Sequence, residues 1–328
     1  MKYLLLLGVG LGLLWLATRK EDPAEIWEKM VVADPFWLGA SIVIALLAFI
    51  SRAVRWILLM EPLGFKPKLS NTLYALWVGY FANLLVPRIG EITRCGTLAR
   101  VEKVPFNSLI GTVIVERVID LIMLFFTMFL VAVLEFEMLK SFILEEIIIP
   151  LQSRLDFNNT ILIIIFGIIF MIVVFFVIRK LNKKTETESP LKIKIRGFIQ
   201  EVGQGFKTIS KMKKNGWFIF HTFFIWFLYF LMTWVCFFCL ESTAHLEGKA
   251  ALFILVVGGV GMAIPVQGGI GAYHYIVSKG LQLFDVSSAD GIAYAYLVHS
   301  TQTLLVVVLG LFGMLMLFLV RKKKEANG

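Results

Sequence analysis

Charge is scarce in this chain. Of its 328 residues only 17% are Asp, Glu, Lys or Arg, while 59% are hydrophobic; a soluble domain carries about 25% charged residues. A soluble globular protein is therefore excluded. Cysteine is scarce as well. Cys95, Cys236 and Cys239 cannot make a disulfide framework. The C-x-x-C of the last two lies inside the apolar run FLYFLMTWVCFFCL, where packing is the expected role rather than metal or redox chemistry. There are four histidines and no D-x-D or similar acidic motif, so no metal site and no cofactor is expected. The apolar runs are continuous instead of alternating, which removes a β-barrel. The net charge of +9 does not require nucleic acid as a partner, because Lys and Arg accumulate in the cytoplasmic loops of membrane proteins.

What the chain has in quantity is long apolar runs, near residues 3–18, 36–60, 71–86, 107–134, 160–178, 216–240, 250–266, 272–284 and 291–320. A helix needs about 20 apolar residues to cross the hydrocarbon core. The first run follows Lys2 like a signal peptide but has no clear small-x-small cleavage site, and Trp15 lies near its end, so it is expected to stay as a first helix. Segment 179–214 carries eleven Lys or Arg against three Glu, and the C-terminal region reads RKKKE. Both belong in the cytoplasm. Working outward, 135–158 falls outside, 107–134 starts inside, and 36–60 runs from outside to inside. The N-terminus is then inside.

Two segments are left over. Residues 69–106 must begin and end inside, and 250–290 must begin and end outside. Each joins two apolar pieces across a break, VPRIGE in one and IPVQGGIGAYH in the other. Residues 272–284 reach only about 20 Å as a helix, which suits half of a re-entrant hairpin. Two short tilted spans per segment would also satisfy parity. The expected fold is an all-α, polytopic integral membrane protein with about six full transmembrane helices and two oppositely oriented re-entrant helical hairpins. It forms one transmembrane domain over 1–328, with a basic amphipathic cytoplasmic segment at 179–215. In that segment Leu191, Ile195, Ile199, Val202, Phe206 and Ile209 recur at helical spacing opposite lysines, a pattern of interfacial helices on anionic lipid. Paired, oppositely entering broken helices point to a substrate site near the midplane of a transporter.

Charges inside such a chain need an account, since one at the bilayer centre costs about 2.5–3.5 kcal/mol on insertion scales. Arg88, Glu91 and Arg94 follow Pro87 at steps of three. On a helix they would share a face, and Glu91 could pair with both arginines. Glu116, Arg117 and Asp120 lie two turns into the next long run. They serve either as a salt bridge fastening the hairpin or as part of a site. Arginine suits bidentate contact with phosphate, and the helix start after Pro87 offers backbone donors. A buried, partly compensated arginine site suggests a lipid phosphate. Arg52 and Arg55 either anchor at the interface or touch the same headgroup. In the second break, Gln267, Gly268, Gly269, Gly271 and His274 lie close in sequence, and His299 stands in the last span. Glycines there permit positive φ and close approach to a ligand.

The runs RAVRWILLMEPLGF, GYFANLLVPRIGEITRCGTLAR, VIVERVIDLIM and IPVQGGIGAYH resemble the lysylphosphatidylglycerol synthase transmembrane, or flippase-like, family. That family includes the N-terminal half of the bacterial multiple-peptide-resistance factor. The chain is also similar to an archaeal protein linked to sugar transfer from a dolichol carrier. The likeness covers nearly the whole sequence. It rests on P-x-x-G-E-x-x-R followed by E-R-x-x-D. It implies translocation of a phospholipid or lipid-linked phosphate between leaflets. The implied positions are Arg52, Arg55, Trp56, Asn83, Pro87, Gly90, Glu91, Arg94, Glu116, Arg117, Asp120, Pro265, Gly268, Gly269 and Gly271. Relatives often have Glu at the position of His274 and Arg at that of His299. A His pair titrates near neutral pH, which admits a proton-linked step. The expected location is a bacterial plasma membrane with both termini cytoplasmic. A homo-oligomer or an envelope-lipid enzyme is a candidate partner. The chain is expected to be a transporter without a soluble aminoacyl-transferase domain. The alternatives are an integral-membrane transferase using Glu91, Glu116 or Asp120 as base, and a scaffold for an envelope-lipid enzyme.

Overall fold

The structure, a computed structural model, describes residues 2–19, 21–144, 148–149 and 212–326. Run 160–178, half of segment 135–158 and the amphipathic pattern at 191–209 lie outside the described residues. All regular elements among the described residues are helical: α1 (Lys2–Thr18), α2 (Pro23–Val31), α3 (Pro35–Met60), α4 (Leu69–Leu85), α5 (Gly90–Glu102), α6 (Phe106–Leu134), α7 (Phe136–Ile143), α8 (Asn215–Phe237), α9 (Glu241–Ala244), α10 (Gly248–Ala263), α11 (Ala272–Gln282) and α12 (Ser288–Ala326), with 3-10 turns at Glu61–Leu63 and Gln267–Gly269. α7 belongs to a separate unit, Phe136–Lys207, and the other helices form one unit. Four of them, α3, α6, α8 and α12, are long and apolar enough to cross a membrane.

Local chemistry sets the helix boundaries. Asp22 and Asp34 each precede a proline, and their carboxylates accept from the backbone N–H of Ala24 and Phe36 at 2.9 and 2.8 Å. Such caps stabilise a helix start by about 0.5–2 kcal/mol, and proline at the first position loses no hydrogen bond. α4 and α10 stop at Val86 and Ile264, the residues before Pro87 and Pro265, because the proline ring disfavours helical backbone in the residue ahead of it.

After each of these stops the chain folds back. α5 packs along α4, and α11 packs along α10. Close contact in the first pair needs glycine. A Cβ on Gly79 would stand 2.8 Å from the Gly90 carbonyl oxygen and 2.9 Å from Arg94 Cβ. In the second pair, Gly268, Gly269 and Gly271 all have positive φ, at 57°, 77° and 82°. A Cβ on Gly271 would also collide with the Gly10 carbonyl of α1. The first helix is thereby seated against the second break.

The order of long helix, broken pair, long helix occurs twice, as α3, α4–α5, α6 and as α8, α10–α11, α12. The packing is reciprocal: α3 lies on α8, α4 on α12 and α10 on α6. Polar contacts sort the helix ends into two sets. Glu61 pairs with Lys214 at 2.9 Å, and Glu102 accepts from Lys68 N at 3.2 Å and from the Asn71 amide, so the open end of α4–α5 lies near the end of α3 and the start of α8. In the other set, Lys29 pairs with Asp290 at 2.9 Å, and Asp34 N donates to Cys239 O at 2.9 Å. These contacts gather α2, the start of α3, the end of α8 and the start of α12, where α11 also ends.

Candidate functional site

α3, α5 and α6 bring seven charged side chains together. Glu116 of α6 accepts from Arg52 Nη2 at 2.6 Å and from Arg94 Nη1 at 3.2 Å. Asp120, one turn on, accepts from Arg55 Nη2 at 2.7 Å and from Arg52 Nη2 at 3.1 Å. Arg117 reaches Glu91 Oε1 and Glu116 Oε1, both at 3.5 Å. Arg52, Arg55, Arg94 and Glu116 are buried. Arg52 and Arg55 lie eight and five residues from the end of α3, roughly 12 and 8 Å along it, and Arg94 lies roughly 12 Å from the end of α5. The charges therefore share one depth.

Aromatic groups shape the surround. The guanidinium of Arg94 lies 4.7 Å from the Trp56 ring centroid and that of Arg52 lies 5.7 Å from Tyr80. Such contacts strengthen when desolvated. Trp56 donates to Thr112 Oγ1 at 2.9 Å, which fixes the indole. The Tyr229 hydroxyl on α8 accepts from Arg52 Nη1 at 2.7 Å, and Ser51 Oγ is 2.8 Å from His221 Nδ1.

The balance is not closed. Four guanidinium groups face three carboxylates, Glu91, Glu116 and Asp120, which leaves one positive charge. Five buried guanidinium nitrogens of the cluster have no partner among the described residues: Arg52 Nε, Arg55 Nε and Nη1, and Arg94 Nε and Nη2. An unpaired buried donor to charge costs more than about 1–3 kcal/mol. The void beside them, bounded by Tyr80, Asn83, Gly90, Glu91, Arg94 and Arg117, is only about 10 Å³, room for about one water.

Two expectations for the first break need correction. Arg88 does not share a helix face with Glu91 and Arg94. It occupies the turn before α5 with φ 63°, because the helix begins three residues after Pro87, at Gly90. Arg88 is exposed there. Glu91 pairs with Arg117 instead of Arg88 or Arg94, since its turn of α5 faces α6. The helix start after Pro87 is also partly used: Gly90 N donates to Asn83 Oδ1 at 2.7 Å.

The second break forms a separate group. His299 Nε2 donates to the Gly268 carbonyl at 2.8 Å. The His274 ring stands 4.7 Å from the His299 ring and 4.6 Å from Tyr296. Gly271 N donates to His274 Nδ1 at 3.3 Å. Gln267 lies in the turn with Gly268 and Gly269. This turn packs against α4, so the two breaks meet across that helix.

The family model for the lysylphosphatidylglycerol synthase transmembrane region matches residues 3–310. The chain belongs to that family. Within it, the chain is similar to the UPF0104 membrane protein MJ1078 of Methanocaldococcus jannaschii, 27% identical over 244 residues, covering 74% of this chain and 95% of the relative. It is similar to UPF0104 membrane protein MJ1595 of the same organism, 28% identical over 111 residues, a third of each chain. It is also similar to Glycosyltransferase AglD of Haloferax volcanii, 29% identical over 108 residues, which cover 33% of this chain and 17% of the relative. The chain thus covers well under two thirds of MJ1595 and of AglD. No solved structure matches it.

In this family member, P-x-x-G-E-x-x-R and E-R-x-x-D meet through Glu91–Arg117 and Arg94–Glu116. Sequence reasoning missed Tyr229, Tyr80 and His221. Tyr229 sits in an aromatic-rich run, where nothing marks one tyrosine as facing an arginine on another helix.

Proposed function

We propose that this family member moves a phosphate-bearing lipid between the leaflets of a membrane, and that the arginine cluster engages the headgroup. The observation that carries this reading is the cluster's surplus positive charge, together with its unpartnered buried N–H groups. Arginine offers paired, planar donors that match phosphate oxygens. The family supports a lipid-related role, and twice-broken helices in reciprocal packing suit a substrate path. On this reading the two pairs are re-entrant from opposite sides, the protein sits in the plasma membrane, and both termini are cytoplasmic.

Glu116 then has a definite task. It holds Arg94 and Arg52 while no substrate is present, standing in for the phosphate. The void beside Arg94 takes about one water, so admitting a headgroup requires α5 to move off α6. That movement breaks Arg94–Glu116 and Arg117–Glu91. An arriving phosphate replaces one anion with another, and the arginines are never left uncompensated in a low dielectric.

The test is lipid flipping in proteoliposomes with a fluorescent phosphatidylglycerol. Arg94→Ala should lower the rate at least tenfold while the protein still elutes as a monodisperse species. A wild-type rate in that variant would sink the site assignment. A second reading, transfer from a lipid-linked sugar, is favoured by the likeness to a relative named as a glycosyltransferase. Against it, the oxygens of Glu116 and Asp120 are taken up by arginines, which leaves them poorly placed as bases. Product formation by purified protein with labelled lipid-linked sugar would favour transfer.

A further inference from the structure

We infer that the cavity between the ends of α1 and α11 is a second phosphate-binding site, at the end of the molecule away from the arginine cluster. The inference rests on the lipid-transport reading, because it assigns the headgroup a place at the far end of its path. The cavity measures about 340 Å³, within the range of small-ligand pockets, about 300–1,000 Å³. It is thirtyfold larger than the void at the cluster. Its wall carries Arg19 and Lys279, one acid, Glu21, and the polar groups of Tyr275, Ser278 and Gln282.

The α11 wall is a stripe. Positions 275, 278, 279 and 282 fall at helical spacing on one face, while Val277 and Leu281 on the other side are fully buried. Along the stripe, Lys279 Nζ lies 3.5 Å from Gln282 Oε1 and Gln282 Nε2 lies 3.5 Å from Ser278 Oγ. Across the cavity the guanidinium of Arg19 stands 5.2 Å from the Trp15 ring, which holds it at the end of α1. The described lining thus brings two cations and one carboxylate together with hydroxyl and amide groups. That set suits a phosphate bearing a hydroxyl or ammonium neighbour, the latter facing Glu21. Lys279 is three residues from the end of α11, roughly 5 Å, a depth suited to headgroups. His274 lies roughly 12 Å from the same end, on the way to the break.

The same phosphate chemistry could come from a lipid or from solution, and titration separates the two. Protein in dodecyl maltoside, a detergent without phosphate, is titrated calorimetrically with dihexanoyl-phosphatidylglycerol, with inorganic phosphate and with phosphate-free dihexanoylglycerol. The expected result is binding of the phospholipid that weakens at least tenfold in Lys279→Gln and in Arg19→Gln/Lys279→Gln, is retained in Lys279→Arg, and is absent for dihexanoylglycerol. Inorganic phosphate that binds with the same dependence while the phospholipid does not would support a phosphate site and assign it to solution. Wild-type affinity for both phosphate probes in the double variant would overturn the site. Repeating the titration in Arg94→Ala keeps the two proposals apart. Binding that still depends on Lys279 upholds this cavity whatever the flip assay says of the cluster, and its loss there would overturn the cavity as a separate site.

Discussion

Glu116 is 1% exposed and has guanidinium groups at 2.6, 3.2, 3.5 and 3.7 Å. Neutralising it leaves arginines buried with less compensation, a change that typically costs about 3–5 kcal/mol. Glu116→Gln should therefore lower the melting temperature markedly in a thermal-shift measurement. Arg94→Gln in the same chain should recover part of the loss, because contacting charges couple by about 0.5–3 kcal/mol; a purely additive double variant would show that the pair is not formed. Arg88 makes the contrast. It is exposed and in the turn, so Arg88→Ala should shift stability by no more than about 0.5 kcal/mol. The spacing of Glu116 and Asp120 was readable because i and i+4 share a helix face. Their partnership with Arg52 and Arg55 was not, since spacing within α6 says nothing about which residues of α3 stand opposite. Arg88 misled for a related reason: steps of three imply one face only where the backbone is helical, and φ 63° places Arg88 before the helix begins.

The α4–α5 pair depends on two small residues meeting. Gly79 and Gly90 face each other so closely that a side chain on either would strike the other's carbonyl. Gly79→Val should push α5 away where Arg94 leaves it. Overpacking of this kind costs about 1–3 kcal/mol, and the separation would also strain Arg94–Glu116. A lower melting temperature and slower lipid flipping are expected together. Gly111→Ala is the control, because nothing lies within 4 Å of its Cβ position, and it should leave both readings unchanged. A Gly79→Val protein as stable as wild type would mean that the helices are not in this contact. The breaks themselves were plain in the sequence, where Pro87 and Pro265 end their helices and glycines carry the second turn. What could not be read was the seating of α1 on that turn. Gly10 is one small residue among several in an apolar run, and its use appears only when Gly271 stands against it.

Across the molecule, the twofold order of long helix, broken pair, long helix makes a topological claim that can be separated from any assay of function. If the pairs are re-entrant, the α3–α4 loop at Lys68 faces the cytoplasm and the loop after α11 at Asp285 faces outside. The tip at Arg88 reaches neither surface freely. If each pair instead crosses completely, Lys68 and Asp285 keep their sides, but Arg88 emerges outside. Single cysteines at these three positions discriminate the two, and the native background is favourable because Cys95, Cys236 and Cys239 are all buried. With a charged, membrane-impermeant maleimide on intact cells, Asp285→Cys should label fully, and Lys68→Cys only after the membrane is opened. Arg88→Cys should resist external reagent, and after opening it should label more slowly than Lys68→Cys, because the site lies along a narrow approach. Rapid external labelling of Arg88→Cys would replace the hairpin by two short spans. External labelling of Lys68→Cys would reverse the orientation inferred from the lysines of 179–214. The charge count alone could not choose between hairpin and double span, since both return the chain to the side it left. The short pieces favour the hairpin physically: α5 has 13 residues and α11 has 11, reaching roughly 20 and 17 Å against a hydrocarbon core of about 30 Å.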